Sequence, residues 1–216
     1  MAEPASFDPD CTACPRLTEF LQELKLQYPG YHCRPVAPFG DAGARLLVVG
    51  LAPGMHGANA TGRPFTGDHA GILLYQVLHQ CGFASAPESL HRDDGLQLMN
   101  CRITNAVKCL PPRNKPLGVE VKTCNAFLVR DLQALPGDSV VLALGGIAHR
   151  AVITALGAKQ VQHPFAHGAE HRMTDDLLLL DSYHCSRYNT QTRRLTPDMF
   201  LRVFQRARKL LDQADS

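Results

Sequence analysis

The sequence predicts an α/β fold, a three-layer α/β/α sandwich around a mostly parallel four-stranded central sheet, and three observations carry that prediction. Leu46–Val49, Ser139–Leu144 and Leu177–Leu180 are short apolar runs without charge, as strands buried on both faces are, and Cys101–Lys108 alternates enough to be a fourth. Segments of helical periodicity separate the runs, and alternating strands and helices build a parallel sheet covered on both sides. The 216 residues contain no Pro- or Gly-rich linker that divides them.

Each element has a local reason. Leu17, Phe20, Leu21 and Leu24 recur at helical spacing, so a helix follows Cys14 and stops before Pro29-Gly30. The strand Leu46–Val49 runs directly into the Gly-rich segment Gly50 to Asp68. Ile72, Leu73, Tyr75, Val77 and Leu78 then mark a helix over His69–Cys81, ended by Gly82. A long polar loop, Ala84–Gln97, leads to the second strand. A helix over Val119–Leu135 precedes the third strand, which ends in Gly145-Gly146, and a short helix covers Ile147–Leu156. The fourth strand ends at Asp181-Ser182-Tyr183-His184. Thr196-Pro197 reads as N-cap and first residue of a last helix whose apolar stripe is Phe200, Val203, Phe204, Ala207, Leu210 and Leu211.

These elements are expected to form a single domain over residues 11–216, preceded by a flexible arm of residues 1–10. No basic start leads into an apolar stretch, and no apolar run approaches the roughly 20 residues that span a bilayer. A soluble, cytoplasmic monomer with no membrane partner is therefore expected. The net charge of +2 does not by itself announce a nucleic-acid partner. Local charge says more, because Arg187, Arg193, Arg194, Arg202, Arg206, Arg208 and Lys209 face only Asp198 between Ser182 and Leu211. A solvated helix face and a phosphate-binding one both fit that pattern.

Of the eight cysteines, Cys11 and Cys14 form a Cys-x-x-Cys pair, and Cys109 and Cys124 a looser one. A reducing compartment favours thiolate ligation over disulfides, and four soft ligands suit either zinc or an iron–sulfur centre. Such a centre would hold the start of the chain against its middle. Cys33, Cys81 and Cys101 read as small core or surface residues.

The Gly50–Asp68 loop and the segment Ser182–Thr192 both leave strands at the sheet's carboxyl edge, where open α/β folds bind ligands. The chain resembles, from Cys11 to the last helix, the uracil-DNA glycosylase superfamily, and specifically its iron–sulfur B-type branch, family 5. The resemblance rests on Gly50-Leu51-Ala52-Pro53-Gly54, on Thr61-Gly62-Arg63-Pro64-Phe65-Thr66-Gly67-Asp68, on Ser182-Tyr183-His184 and on the order of these motifs. It implies hydrolysis of the N-glycosidic bond of uracil in DNA, to leave an abasic site, with other deaminated or modified bases as further substrates. It also implies that Cys11, Cys14, Cys109 and Cys124 hold a 4Fe-4S cluster, zinc being the runner-up.

Glycosidic cleavage builds positive charge on the sugar and negative charge on the departing base, so it uses a carboxylate at the first and a hydrogen-bond donor at the second. Asp68 and His184 are the candidates for these catalytic roles. An N-cap for the following helix is the structural alternative for Asp68, and a satisfied strand-end histidine that for His184. Leu51 is apolar where related branches carry an acid or amide, which is why the carboxylate is sought further along. An extruded base needs an aromatic face and polar groups for its edge. Phe65, with a core role as its alternative, supplies the face, while Asn114, Asn59 and Gly54 are candidates for base contact, Asn114 having a turn role as its alternative; His56 has less support. Arg187, Arg194 and Ser186 are candidates for DNA contact.

Cys185, Arg193 and Ala60 depart from the family's usual Pro, Gly and basic residue. No lysine lies in the motif loops to form a Schiff base, so water is the expected nucleophile and strand cutting is not. A non-catalytic binder of damaged DNA is the competing reading. A phosphate-binding nucleotide loop fits poorly, since the Gly-rich segment lacks a Gly-Lys-Ser/Thr ending.

Overall fold

The computed structural model describes residues 7–213. A six-stranded sheet forms the middle layer, with strands β1 (Phe39–Gly40), β2 (Leu46–Gly50), β3 (Cys101–Asn105), β4 (Ser139–Leu144), β5 (Glu170–Thr174) and β6 (Leu177–Ser182) in the order β1-β3-β2-β4-β6-β5. The four expected strands are its parallel centre. The expected count of four is corrected to six by an antiparallel strand at each edge. Neither has an apolar signature: β1 is two residues long, and β5 reads Glu-His-Arg-Met-Thr with alternate residues exposed. Short and charged strands are how sheet edges avoid pairing with other chains.

The helices are α1 (Pro15–Gln27), α2 (Ala58–Thr61), α3 (His69–Gln80), α4 (Gly118–Gln133), α5 (Gly146–Ala155), α6 (Arg187–Gln191) and α7 (Pro197–Gln213). Because side chains alternate across a strand, each parallel strand feeds two layers. Leu46, Val48, Ile103, Leu142 and Leu180 pack with α3 and α7, whereas Leu47, Val49, Val141, Ala143 and Leu179 pack with α4 and α5. Phe200 and Phe204 of α7 are wholly buried, and each such side chain adds roughly 1.5–3 kcal/mol of hydrophobic stabilisation. Thr196 caps α7 as expected, its Oγ1 accepting from the Met199 amide at 3.2 Å.

The expected second strand ends early. After Asn105 the chain leaves the sheet, although Ala106 and Val107 still donate to Gly50 and Leu51 carbonyls at 2.9 Å each. Lys108 is buried, its Nζ paired with Asp131 Oδ2 at 2.8 Å. Residues 1–6 of the expected flexible arm lie outside the described residues. Phe7, by contrast, lies 6.1 Å from the Phe127 ring, and Asp10 pairs with Arg34. Among the described residues no helix is long and apolar enough to cross a membrane.

The polar loop 84–97 is held from inside by one side chain. Arg63, 4% exposed, donates to Thr66 Oγ1 (2.9 Å), Ser89 Oγ (2.6 Å), the Arg92 carbonyl (3.1 Å) and Asp94 Oδ2 (2.5 Å), and lies over the Phe39 ring. Asp94 in turn accepts from the Leu90 and Leu96 amides. Breaking a buried pair strands one charge, at about 3–5 kcal/mol. Arg63→Met is therefore expected to lose about 3 kcal/mol in urea unfolding and to open the chain to trypsin at the exposed Arg92; unchanged stability and resistance would remove Arg63 from this role.

Candidate active site and cysteine centre

Strand β2 ends at Gly50, opposite Asn105 of β3 in parallel register. A Cβ placed on Gly50 would lie 2.4 Å from Asn105 Oδ1 and 2.7 Å from Phe65 Cζ, so only glycine lets the amide and the ring meet at the strand end. Phe65 is buried and holds a left-handed backbone, φ 54°, a conformation that costs a non-glycine residue about 1–2 kcal/mol. Gly71 makes this turn feasible, because a side chain there would strike the Phe65 carbonyl. The Phe65 ring faces that of His184, centroids 5.9 Å apart and planes inclined by 29°.

Two loops distant in sequence are thus joined at one place, as expected. His184 follows β6, and its carbonyl accepts from Asn189 Nδ2 at 2.8 Å. Surrounded largely by protein, the imidazole loses solvation, which pushes its pKa down to about 4. It is neutral at physiological pH and can donate a hydrogen bond without carrying charge.

Asp68 caps α3, its Oδ1 accepting from the Gly71 amide at 2.9 Å. Its Oδ2 lies toward Gly54 and Gly57, where added Cβ atoms would come within 3.3 and 2.6 Å. Gly54 therefore makes room for the carboxylate. Burial raises the Asp68 pKa, and the amide hydrogen bonds offset part of the rise. The capping role and a free second oxygen coexist. A cleft of about 450 Å³ opens beside Asp68, lined also by His69, Ile72, Leu90 and Arg187.

Among the other candidates, Arg187 is exposed on that cleft, and Ser186 is the N-cap of α6, accepting from the Asn189 amide. Arg194 is exposed with its guanidinium 4.7 Å over the Tyr183 ring, next to His184. Two base-contact candidates are placed otherwise. Asn59 is wholly buried, with Nδ2 3.5 Å from Cys33 Sγ, while its Oδ1, like that of Asn105, has no partner among the described residues. Asn114 is exposed in a 3₁₀ turn at φ 56°, which is the turn role that its sequence context also allows.

The residue that sequence reasoning missed is Asn105. It is buried, and its Oδ1 has no partner among the described residues, a situation that in native proteins calls for a ligand or a functional reason. Its signal was positional, since it is the last residue of a parallel strand at the carboxyl edge. It was hidden by the reading of a strand continuing to Lys108.

Two of the seven basic residues in the C-terminal segment are spent on the fold. Arg206 forms a bidentate pair with Glu170, and Arg208 donates to the Cys81 and Gly82 carbonyls at the end of α3. Arg193 has φ 57°, which explains why glycine suits that position. Cys185 is a wholly buried core residue whose thiol burial pushes up, so it stands there as an inert hydrophobe.

Cys11, Cys14, Cys109 and Cys124 line one small cavity between α1, the β3–α4 connection and α4. Burial first, and then the neighbouring thiolates, push the Cys109 thiol up to about 12 and raise Cys14 and Cys124, so ionising the set requires a positive centre among them. No three of the sulfurs lie within 4.8 Å of one another. Four thiolates on one zinc ion at about 2.3 Å would stand about 3.8 Å apart. A set of four thiolates suits either a zinc ion or an iron–sulfur cluster. The bidentate Arg16–Glu120 pair, 2.7 Å on each arm, locks α1 to α4 beside it.

Comparison with known proteins agrees with this geometry. Residues 37–208 match the model of the uracil DNA glycosylase superfamily. The type-5 uracil-DNA glycosylase of Thermus thermophilus is 47% identical, with 93% of each chain covered. That of Pyrobaculum aerophilum is 42% identical over 92% of this chain and 88% of its own. The crystal structure of wild-type Pedobacter heparinus SMUG2 superposes with a TM-score of 0.50 at 14% identity, over 79% of this chain and 77% of its own, a likeness of fold alone. A parallel sheet with Phe65, Asp68, Asn105 and His184 gathered at its carboxyl edge, and a family model spanning the whole sheet, lead to one conclusion: the chain belongs to the uracil-DNA glycosylase superfamily.

Proposed function

We propose that the protein is a monofunctional uracil-DNA glycosylase, which extrudes a uracil nucleotide from DNA and hydrolyses its N-glycosidic bond to leave an abasic site. The observation that carries this reading is the junction of Phe65, Asn105 and His184, backed by the 40–47% identity to five type-5 uracil-DNA glycosylases. A free base slides against the Phe65 face. The Asn105 amide, whose Oδ1 has no partner among the described residues, offers an acceptor and a donor, the complement of the N3–H and the adjacent carbonyl of uracil. Neutral His184 donates to the oxygen on which charge collects as the base leaves, and Asp68 stabilises the sugar cation and orients the attacking water. Arg187 and exposed Tyr188, at the lip of the cleft, brace the gap in the duplex, and Arg194 contacts phosphate. Other deaminated bases that offer the same edge are further substrates.

The pocket also argues against a binder that does not cleave. Burying a carboxylate beside a base pocket works against base affinity and favours only a state in which positive charge develops nearby. Lys108, paired with Asp131, is unavailable as an amine nucleophile, which supports hydrolysis without strand cutting. Cys11, Cys14, Cys109 and Cys124 would hold a 4Fe-4S cluster whose contribution is to tie the chain's start to its middle.

Asp68→Asn is expected to lower single-turnover excision about 10²–10⁴-fold while leaving affinity for a uracil-containing duplex within about threefold; undiminished cleavage would take Asp68 out of the reaction. Only the ionised carboxylate is competent and burial raises its pKa, so excision should fall as pH drops through a value above the ordinary aspartate range. His184, already neutral above about pH 4, should add no second limb at neutral pH, and a limb that survives in Asp68→Asn would assign it elsewhere. For the cysteine centre, the purified protein should absorb broadly in the visible and contain about four irons and four sulfides per chain. Cys109→Ser should abolish both. A colourless protein with one zinc would replace the cluster by a single ion.

A further inference from the structure

Behind the His184 loop lies a second polar cluster that the reaction does not use. Asp181, wholly buried in β6 and three residues before His184, accepts from His149 Nδ1 at 2.8 Å and His171 Nε2 at 3.1 Å. The other nitrogen of His149 is 2.8 Å from the His163 carbonyl. Both nitrogens of that ring therefore face oxygen acceptors. The ring thus bridges the buried carboxylate and the His163 carbonyl, and His171 fills the second carboxylate oxygen.

Nearby contacts continue this anchoring toward His184. The Asp181 amide donates to the Ala169 carbonyl, and its own carbonyl accepts from Gly168. His167 Nδ1 accepts from the Tyr183 amide at 3.1 Å, and its ring stacks on Tyr183 with centroids 5.0 Å apart. Phe165 closes against His149 at 5.6 Å. We propose that Asp181, with His149 and His171, is the positioning device for His184: the network pins the end of β6, so that the imidazole three residues on is presented to the leaving base in one orientation. Asp181 touches no substrate and acts through His184 alone.

The distances decide between a shared proton and a shared metal ion. At 2.8 and 3.1 Å the nitrogens and the carboxylate are in hydrogen-bond contact, closer than the roughly 3.4 Å between ligands of a tetrahedral ion at about 2.1 Å. The network is also complete without a metal.

The inference rests on the role given to His184, and a double-mutant cycle separates the two. Asp181→Ala is expected to slow single-turnover excision of uracil about 30-fold while changing duplex affinity less than threefold. In a His184→Ala background the same substitution should slow what remains by less than threefold. An equal 30-fold loss in both backgrounds, or a loss of affinity with an unchanged rate, would overturn the proposal. A fully active His184→Ala would instead defeat the reading of His184 itself. Should Asp181→Ala fail to fold, His171→Gln, which leaves the His149 bond intact, carries the same cycle with an expected loss of about fivefold, and a fully active His171→Gln overturns the proposal. A zinc ion retained by the parent and lost in His149→Ala would overturn it as well.

Discussion

The end of β2 is the constraint on which the site depends. Parallel pairing sets Gly50 beside Asn105, and the left-handed turn at Phe65 swings an aromatic ring back onto the same spot. Any side chain at Gly50 would occupy the space where ring and amide converge. The junction is therefore a property of the sheet's register as much as of the loop, and a slip of one residue in β3 would send Asn105 to the opposite face. The cost of the Phe65 backbone is met by the rigidity around it, since Arg63 and Thr66 on either side are locked to the 84–97 loop.

One physical effect, removal from water, tunes the two candidate catalytic groups in opposite directions. It raises the Asp68 carboxyl and lowers the His184 imidazole, in each case disfavouring the charged form. For the histidine this is the useful state, because a neutral donor does not repel the developing cation of the sugar. For the aspartate it is a tension, relieved in part by the Gly71 amide at the head of α3 and fully only when a cation develops nearby. In the proposed reaction, the carboxylate is least comfortable in the free protein and best paired in the transition state.

The parallel core was legible because burial on both faces leaves uncharged runs, and the Thr196-Pro197 cap because its chemistry is local. The edge strands were not, since β1 is too short for a pattern and β5 is polar. Within the site, Asp68, Phe65 and His184 were readable from the chemistry of a flipped base and from the motifs that carry them, and the structure gathers them. Asn105 was not readable, because its importance lies in where β3 stops, and that is set by pairing with β2. Asn59 and Asn114 show the converse difficulty: a polar residue in a Gly-rich or Pro-rich loop offers the same letters whether it faces a ligand, a cysteine or solvent.

The C-terminal basic residues show why charge counts along a sequence overstate a nucleic-acid surface. Arg206 neutralises Glu170 on an edge strand, and Arg208 caps α3 while lying 3.8 Å above the Phe83 ring, so both charges are consumed by packing. What remains of the segment's charge is Arg187 on the cleft, Arg194 braced on Tyr183, and the exposed Arg193, Arg202 and Lys209. In the proposed reading, phosphate contacts position the duplex and the choice of base is made in the pocket. That places the burden of recognition on Phe65, Asn105 and His184, and makes substrate choice a question of which bases fit against one ring and one amide.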